Sequence, residues 1–155
     1  MTLGTEGLMK SVVMGVIAAT AIAGSATAGD WRMLSYSQSH MSALDRDSLR
    51  SSGNLRNGWV VFILPSEMPM DYFVTRYEWD CSVGRARQIH MVAYRDGEAI
   101  HEEAGSGESE AVTPDSDEAT TLQAVCDGID PAPNHSGWNS IADIVDNYRA
   151  TLPPK

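Results

Sequence analysis

The chain has 155 residues, enough for one domain, and its 43% hydrophobic and 21% charged residues are typical of a globular protein. Eleven lysines and arginines stand against 21 aspartates and glutamates, which gives a formal net charge of −10. Nucleic-acid binders carry the opposite balance, so the composition argues against that class of partner. Two cysteines are too few for a multi-disulfide scaffold or a four-cysteine zinc site.

Residues 1–28 have the features of a secretory signal peptide. A basic residue precedes an apolar run of about a dozen residues, and the small residues Ala26 and Ala28 fit the A-x-A cleavage signature. The run is shorter than the roughly 20 residues that a membrane-spanning helix needs. A small buried N-terminal helix is the alternative interpretation. We expect cleavage between Ala28 and Gly29.

The signal peptide predicts export. No cysteine occupies Gly29, the expected first mature position, where a lipid-anchored bacterial protein carries one. The sequence therefore predicts a periplasmic or secreted mature chain without a membrane anchor or a lipid. Such compartments are oxidising, so the two cysteines are expected to pair. Translation can start at Met1 or at Met9, and a start at Met9 gives a signal peptide without the acidic, glycine-containing extension.

The first part of the mature chain has the pattern of β-strands. Short strands are predicted at residues 31–36 and 41–45, and residues 45–54 are rich in turn formers. Residues 59–64 are apolar at both alternating sets of positions, which predicts a central strand covered on both faces.

A cleaner alternation follows at residues 72–81 and predicts a half-buried antiparallel strand with Cys81 toward the core. After a turn at residues 82–84, strands are predicted at 87–94 and 99–103. Residues 105–109 then read as a flexible loop.

Two helices are predicted after the strands. Pro114 and the acidic residues around it suit the start of the first helix. Its stripe of Ala119, Leu122 and Cys126 follows the spacing of one helix face. Because Cys126 then faces the core from a helix and Cys81 from a strand, we predict a disulfide between them.

After a linker at residues 130–137, Asn139 or Ser140 is expected to cap a final helix. Its apolar stripe consists of Ile141, Ile144, Val145, Tyr148 and Leu152. The predicted fold class is therefore α+β. It has a small antiparallel sheet of about five or six strands, a helix tied to that sheet by a disulfide, and an extra C-terminal helix.

Charge is unevenly placed along the chain. Residues 30–95 hold 8 basic and 7 acidic residues, whereas residues 96–155 hold 2 basic and 13 acidic residues. A solvated acidic surface is the simpler interpretation. A surface that binds a cation or a basic partner is the alternative.

Several short stretches of the mature chain carry a resemblance to a known family. They are ALDRDSLR (43–50), WVVFIL (59–64), Asp80-Cys81 with Arg85 and Arg87, YRDG (94–97), VTPDS (112–116) and Val125-Cys126. In this order and spacing they resemble the surface-adhesin protein E-like family of small exported bacterial proteins. The similar region covers roughly residues 30–127.

The resemblance implies a compact antiparallel sheet with one helix tied to it by a disulfide, and a protein that is not an enzyme. It also implies extracellular or envelope proteins as partners, since the family's namesake binds host proteins such as laminin and vitronectin. Residues 128–155 extend beyond the family's usual end. The predicted organisation is thus a signal peptide (1–28), an adhesin-E-like domain (29–127), and a linker with a C-terminal amphipathic helix (128–155).

Other chemistry leaves weaker signals. Histidines and methionines at positions such as His40-Met41, His90-Met91 and Met68-Pro-Met70 are ligand types that copper(I) favours. A periplasmic copper-binding protein is therefore the alternative function, with His101 and His135 as the remaining histidines. The sequence has no G-x-S-x-G motif and no C-x-x-C motif, so we predict neither an enzyme nor a cofactor.

Arg85 and Arg87 share one strand face and are the candidates for an anion site. We predict instead that they pair with Glu78 and Asp80 across the hairpin at residues 82–84. The leading interpretation is a non-enzymatic, exported, adhesin-like binding module.

Overall fold

The structure is a computed structural model that describes residues 29–153. The predicted signal peptide, with Ala28 and both candidate start sites, lies outside the described residues, so cleavage before Gly29 stays a prediction. The elements, in chain order, are β1 (Trp31–Tyr36), β2 (Met41–Ser52), β3 (Leu55–Ile63), β4 (Tyr72–Asp80), β5 (Arg85–Arg95), β6 (Glu98–Ala104), β7 (Glu110–Ala111), α1 (Asp117–Cys126) and α2 (Ile141–Thr151).

The strands form a single antiparallel sheet in the order β1-β2-β3-β4-β5-β6, which is also their order along the chain. The two-residue strand β7 pairs with the start of β5. It therefore lies on the same edge of β5 as β6, which pairs with residues 90–95 of that strand. This architecture confirms the predicted α+β class.

The prediction for residues 45–54 was wrong over most of its length, because residues 45–52 are strand and only Gly53 and Asn54 form a turn. β2 runs on to Ser52, and its pairing with β3 is interrupted between Asp45 and Arg50. The polar residues make local hydrogen bonds in this irregular stretch: the Ser48 hydroxyl donates to the carbonyl of Asp45 and accepts from the backbone N–H of Trp59 at 2.9 Å. The turn-forming residues here form a bulge, and the strand continues beyond it.

The sheet is covered on both faces. On one face, α1 packs through Val125 against a buried cluster that includes Val60 and Trp79. On the other face, α2 packs through Ile144 against a cluster that includes Val61. Because Val60 and Val61 are neighbours in β3 and point to opposite faces, the prediction of a doubly covered central strand is confirmed.

Helix α1 is attached to the sheet near both of its ends. Its first turn is held by a hydrogen bond of 2.7 Å between His40 Nε2 and Asp117 Oδ2. Its last residue, Cys126, forms the predicted disulfide with Cys81, which directly follows β4, with a Cα–Cα distance of 5.6 Å. The disulfide prediction is confirmed, and it ties the helix to the turn between β4 and β5.

The buried stripe of α1 is rotated from the predicted one. The fully buried residues are Thr121 and Val125, whereas Leu122 and Cys126 are only partly buried. Thr121 can face the core because its hydroxyl donates to the carbonyl of Asp117 at 2.9 Å. A threonine that satisfies its own hydroxyl in this way is not visible as a core residue in an apolar pattern.

Helix α2 begins at the predicted cap Ser140, whose hydroxyl accepts from the backbone N–H of Asp143 at 3.2 Å. Just before it, Trp138 pairs with Trp31 of β1 in an isolated antiparallel β-bridge. The bridge requires glycine at position 137, because φ there is +79° and a Cβ would lie 2.7 Å from the carbonyl oxygen of Trp31. Residues 137–139 thus lead α2 onto its face of the sheet.

The end of α2 is held by a charged hydrogen bond whose effect depends on pH. Arg149 donates to Asp71 at 2.6 Å, and Asp71 also accepts from the backbone N–H of Asp96 at 2.6 Å. The bond from Arg149 and the bond from Asp96 lower the pKa of Asp71. Since the pKa of the folded state lies below that of the unfolded state, this contribution to stability is complete above about pH 4 and is lost as the pH falls through the folded pKa.

We expect Asp71→Asn to lower the free energy of unfolding by on the order of 1 kcal/mol at pH 7 and to make its fall below pH 4 shallower. The check is urea unfolding from pH 2 to pH 7. Asp146→Asn is the matched control, because Asp146 is exposed on α2, the helix that carries Arg149. Equal acid sensitivity of the wild type and Asp71→Asn would contradict the assignment.

Candidate functional site

An open groove of about 700 Å³ lies on the α1 side of the sheet, beside the edge formed by β6 and β7. Tyr77, Ala86 and Gln88 contribute to it from β4 and β5. The remaining lining comes from Arg87 of β5, from β6 and the loop after it, from β7 and the two residues after it, and from the first turn of α1.

The groove exists because the chain leaves the sheet between β6 and β7. At Gly105 the backbone N–H still donates to the carbonyl of Ile89 at 2.9 Å, and residues 106–109 then leave the edge until β7 rejoins β5. A Cβ at position 105 would lie 1.8 Å from the carbonyl oxygen of Gln88. Glycine is therefore required at the point where the loop departs.

Four glutamates line the groove and make it acidic: Glu103, Glu108, Glu110 and Glu118. The one arginine in the lining, Arg87, is already paired with Glu78 at 2.8 Å. Burial, and to a lesser extent the negative charge of Glu118, raises the pKa of Tyr77 at the floor of the groove. The surroundings thus favour a positively charged occupant.

Only one of the two predicted arginine pairs forms. The hairpin places Glu78 opposite Arg87 and Asp80 opposite Arg85. Arg87 pairs with Glu78, but Arg85 donates to the carbonyl and hydroxyl of Ser109 in the loop before β7.

Asp80 is engaged elsewhere, and this explains the missing pair. It accepts from the hydroxyl of Ser82 at 2.6 Å and from its backbone N–H at 3.0 Å, and these bonds lower the pKa of Asp80. Arg85 is thereby free to hold the groove-forming loop, a role that the sequence did not predict.

The four histidines are not brought together. His40 contacts Asp117, His90 contacts Glu102, and His101 contacts Glu103, each within 3.4 Å. His135 packs against the ring of Trp138. Residues 29–153 contain no group of three or more His, Cys, Asp or Glu side chains positioned to hold a metal ion. Nothing in this arrangement supports the copper-binding alternative.

The groove is not evident in the amino-acid sequence. Its glutamates come from β6, a loop, β7 and α1, and no local motif joins positions that far apart in the chain. The one available signal was the excess of acidic residues after position 95. That signal gave the charge of the surface but not its location.

Within residues 29–153, no helix is long and apolar enough to cross a bilayer.

Comparison with known proteins points to one family. The family model described as surface-adhesin protein E matches residues 31–127, from the start of β1 to the residue after α1. No curated protein matches the chain. Among solved structures, crystal form II of Haemophilus influenzae protein E is 14% identical, with a TM-score of 0.48 over 64% of this chain and 88% of that chain.

A crystal structure of protein E from non-typeable Haemophilus influenzae is 11% identical, with a TM-score of 0.45 over 78% of this chain and 88% of that chain. The match to the family model is the stronger finding, since it covers more than half of the sequence in one continuous stretch. On that ground the chain belongs to the surface-adhesin protein E family.

Proposed function

We propose that this protein is a non-enzymatic, exported binding module whose partners are extracellular or envelope proteins. The observation that carries the proposal is the continuous match of residues 31–127 to a family of surface adhesins. The Cys81–Cys126 disulfide supports export, because such bonds persist in oxidising compartments.

Export by cleavage between Ala28 and Gly29 is compatible with the described fold. The backbone N–H of Gly29 donates to the carbonyl of Asn139 at 3.0 Å, so the residue that follows the expected cleavage site takes part in the fold. We propose a periplasmic or secreted location for the cleaved chain. N-terminal sequencing of exported protein should read Gly29-Asp30-Trp31, and a sequence that begins at Met1 or Met9 would contradict cleavage.

The binding function can be tested with the exported protein as immobilised bait for envelope extracts and for purified matrix proteins. Native bait should retain a partner that is released by excess soluble native protein. Bait that has been reduced and unfolded is the control, because it has the same composition and charge. Equal retention by native and unfolded bait, or retention of nothing, would contradict the proposal.

A further inference from the structure

The open edge of the sheet suggests how a partner could be recognised. β6 is the last strand in the sheet order, and all seven of its residues are exposed. No described residue pairs with its outer side. The opposite edge is different, because β1 is bridged there by Trp138. Unpaired backbone N–H and C=O groups on an edge strand are a template for one more strand.

The shape of β6 limits what can pair with it. Its register with β5 shifts between Ala93 and Tyr94, which leaves Ile100 without a partner in β5. The regular stretch is therefore short, from His101 to Ala104, and its end lines the groove. A bulge of this kind disfavours pairing with a long, flat strand but leaves space for a short one.

A second copy of this chain is a poor occupant. Antiparallel pairing of two β6 stretches would place Glu102 and Glu103 of one copy close to those of the other. Like charges on directly opposed strands are destabilising. The charge of this edge therefore selects against self-association and in favour of a basic strand.

The groove also suits a segment better than a metal ion. Its glutamates are spread over four elements, and the described residues contain no metal-binding group of three or more His, Cys, Asp or Glu side chains. Glu108, Glu110 and Glu118 have no cationic partner among residues 29–153. Lysine or arginine side chains on alternate positions of an extended segment would all point to the face where these carboxylates lie.

We propose that a short, extended, basic segment of the partner protein adds to the outer edge of β6, with its cationic side chains in the acidic groove. The backbone of His101–Ala104 supplies the main-chain hydrogen bonds, and the groove glutamates supply specificity for charge. This inference rests on the proposed binding function and names the site and the chemical class of the partner.

The probe is a labelled peptide of alternating lysine and valine, titrated into the exported protein and followed by fluorescence anisotropy. Glu108→Gln/Glu110→Gln should weaken its binding about tenfold, since it removes two exposed charge pairs. Asp127→Asn/Asp146→Asn is the matched control, because it removes the same charge from exposed positions outside the groove. The control should change affinity less than about twofold.

Amide hydrogen exchange separates strand addition from loose electrostatic attraction. Bound peptide should slow exchange at residues 101–104, and a peptide of alternating glutamate and valine should not. No binding of the lysine peptide, equal weakening by both double variants, or protection confined to other elements would overturn the proposal. Concentration-dependent protection of β6 without peptide would also overturn it, because it would identify a second copy as the occupant.

Failure of this inference differs from failure of the proposed function. If wild type and Glu108→Gln/Glu110→Gln retain the same partner equally in the bait experiment, the groove proposal falls and the binding function stands. If native bait retains nothing while the lysine peptide still binds at residues 101–104, the function falls and the groove stands.

Discussion

Cys81→Ala/Cys126→Ala should unfold on the order of 10–20 °C below the wild type. The bond joins residues separated by 45 positions, and on the chain-entropy model its loss favours the unfolded state by about 4 kcal/mol. It is also the covalent attachment of α1, the helix that covers one face of the sheet. Calorimetry of both proteins without reductant checks the prediction.

A reductant provides the control for the disulfide prediction. Dithiothreitol should lower the melting temperature of the wild type toward that of the double variant and should leave the variant unchanged. A melting temperature that is the same in the wild type and the variant would show that α1 is held by packing and by the His40–Asp117 pair alone.

Ile144→Ala is expected to lower the free energy of unfolding by about 2–5 kcal/mol. The side chain of Ile144 is completely buried between α2 and the sheet, so its truncation leaves a cavity. This substitution tests whether α2 is part of the folded unit, because an appended helix would tolerate the change. Urea denaturation followed by tryptophan fluorescence measures the effect.

Ile129→Ala is the matched control for Ile144→Ala. Ile129 has the same side chain but is 54% exposed in the segment before α2, so its truncation should change stability by less than about 0.5 kcal/mol. A loss of similar size for both variants, or no loss for Ile144→Ala, would contradict the packing of α2 on the sheet.

Much of the fold was predictable because local patterns and global packing agree. The strand at residues 31–36 and the alternation along β4 were predicted and are present, and of the two candidate caps for α2 the structure uses Ser140. The disulfide was predictable because an oxidising compartment and inward-facing positions were expected for both cysteines, although the structure places Cys81 just after β4 and leaves both cysteines only partly buried. The errors fall where polar residues belong to a strand or to the core, as in the bulge after Asp45 and at the buried Thr121.

The candidate site was harder to predict because it depends on where the chain leaves the sheet. β7 has only two residues and is held through the bonds of Arg85 to Ser109, which neither periodicity nor composition reveals. Without β7, the loop after Gly105 has no defined path and the four glutamates have no common location. The acidic excess of the second half was visible in the sequence, whereas the groove follows only from the pairing of both β6 and β7 with β5.

The most direct measurement of the central claim is a binding isotherm of the exported protein on an immobilised panel of purified extracellular matrix proteins, the class of partner proposed above. The account predicts saturable binding to at least one of them. Binding should fall with added salt and should disappear when the disulfide is reduced and the chain is unfolded. Binding that does not saturate, or that the unfolded protein reproduces, would contradict the assignment of this chain as an adhesin-like binding module.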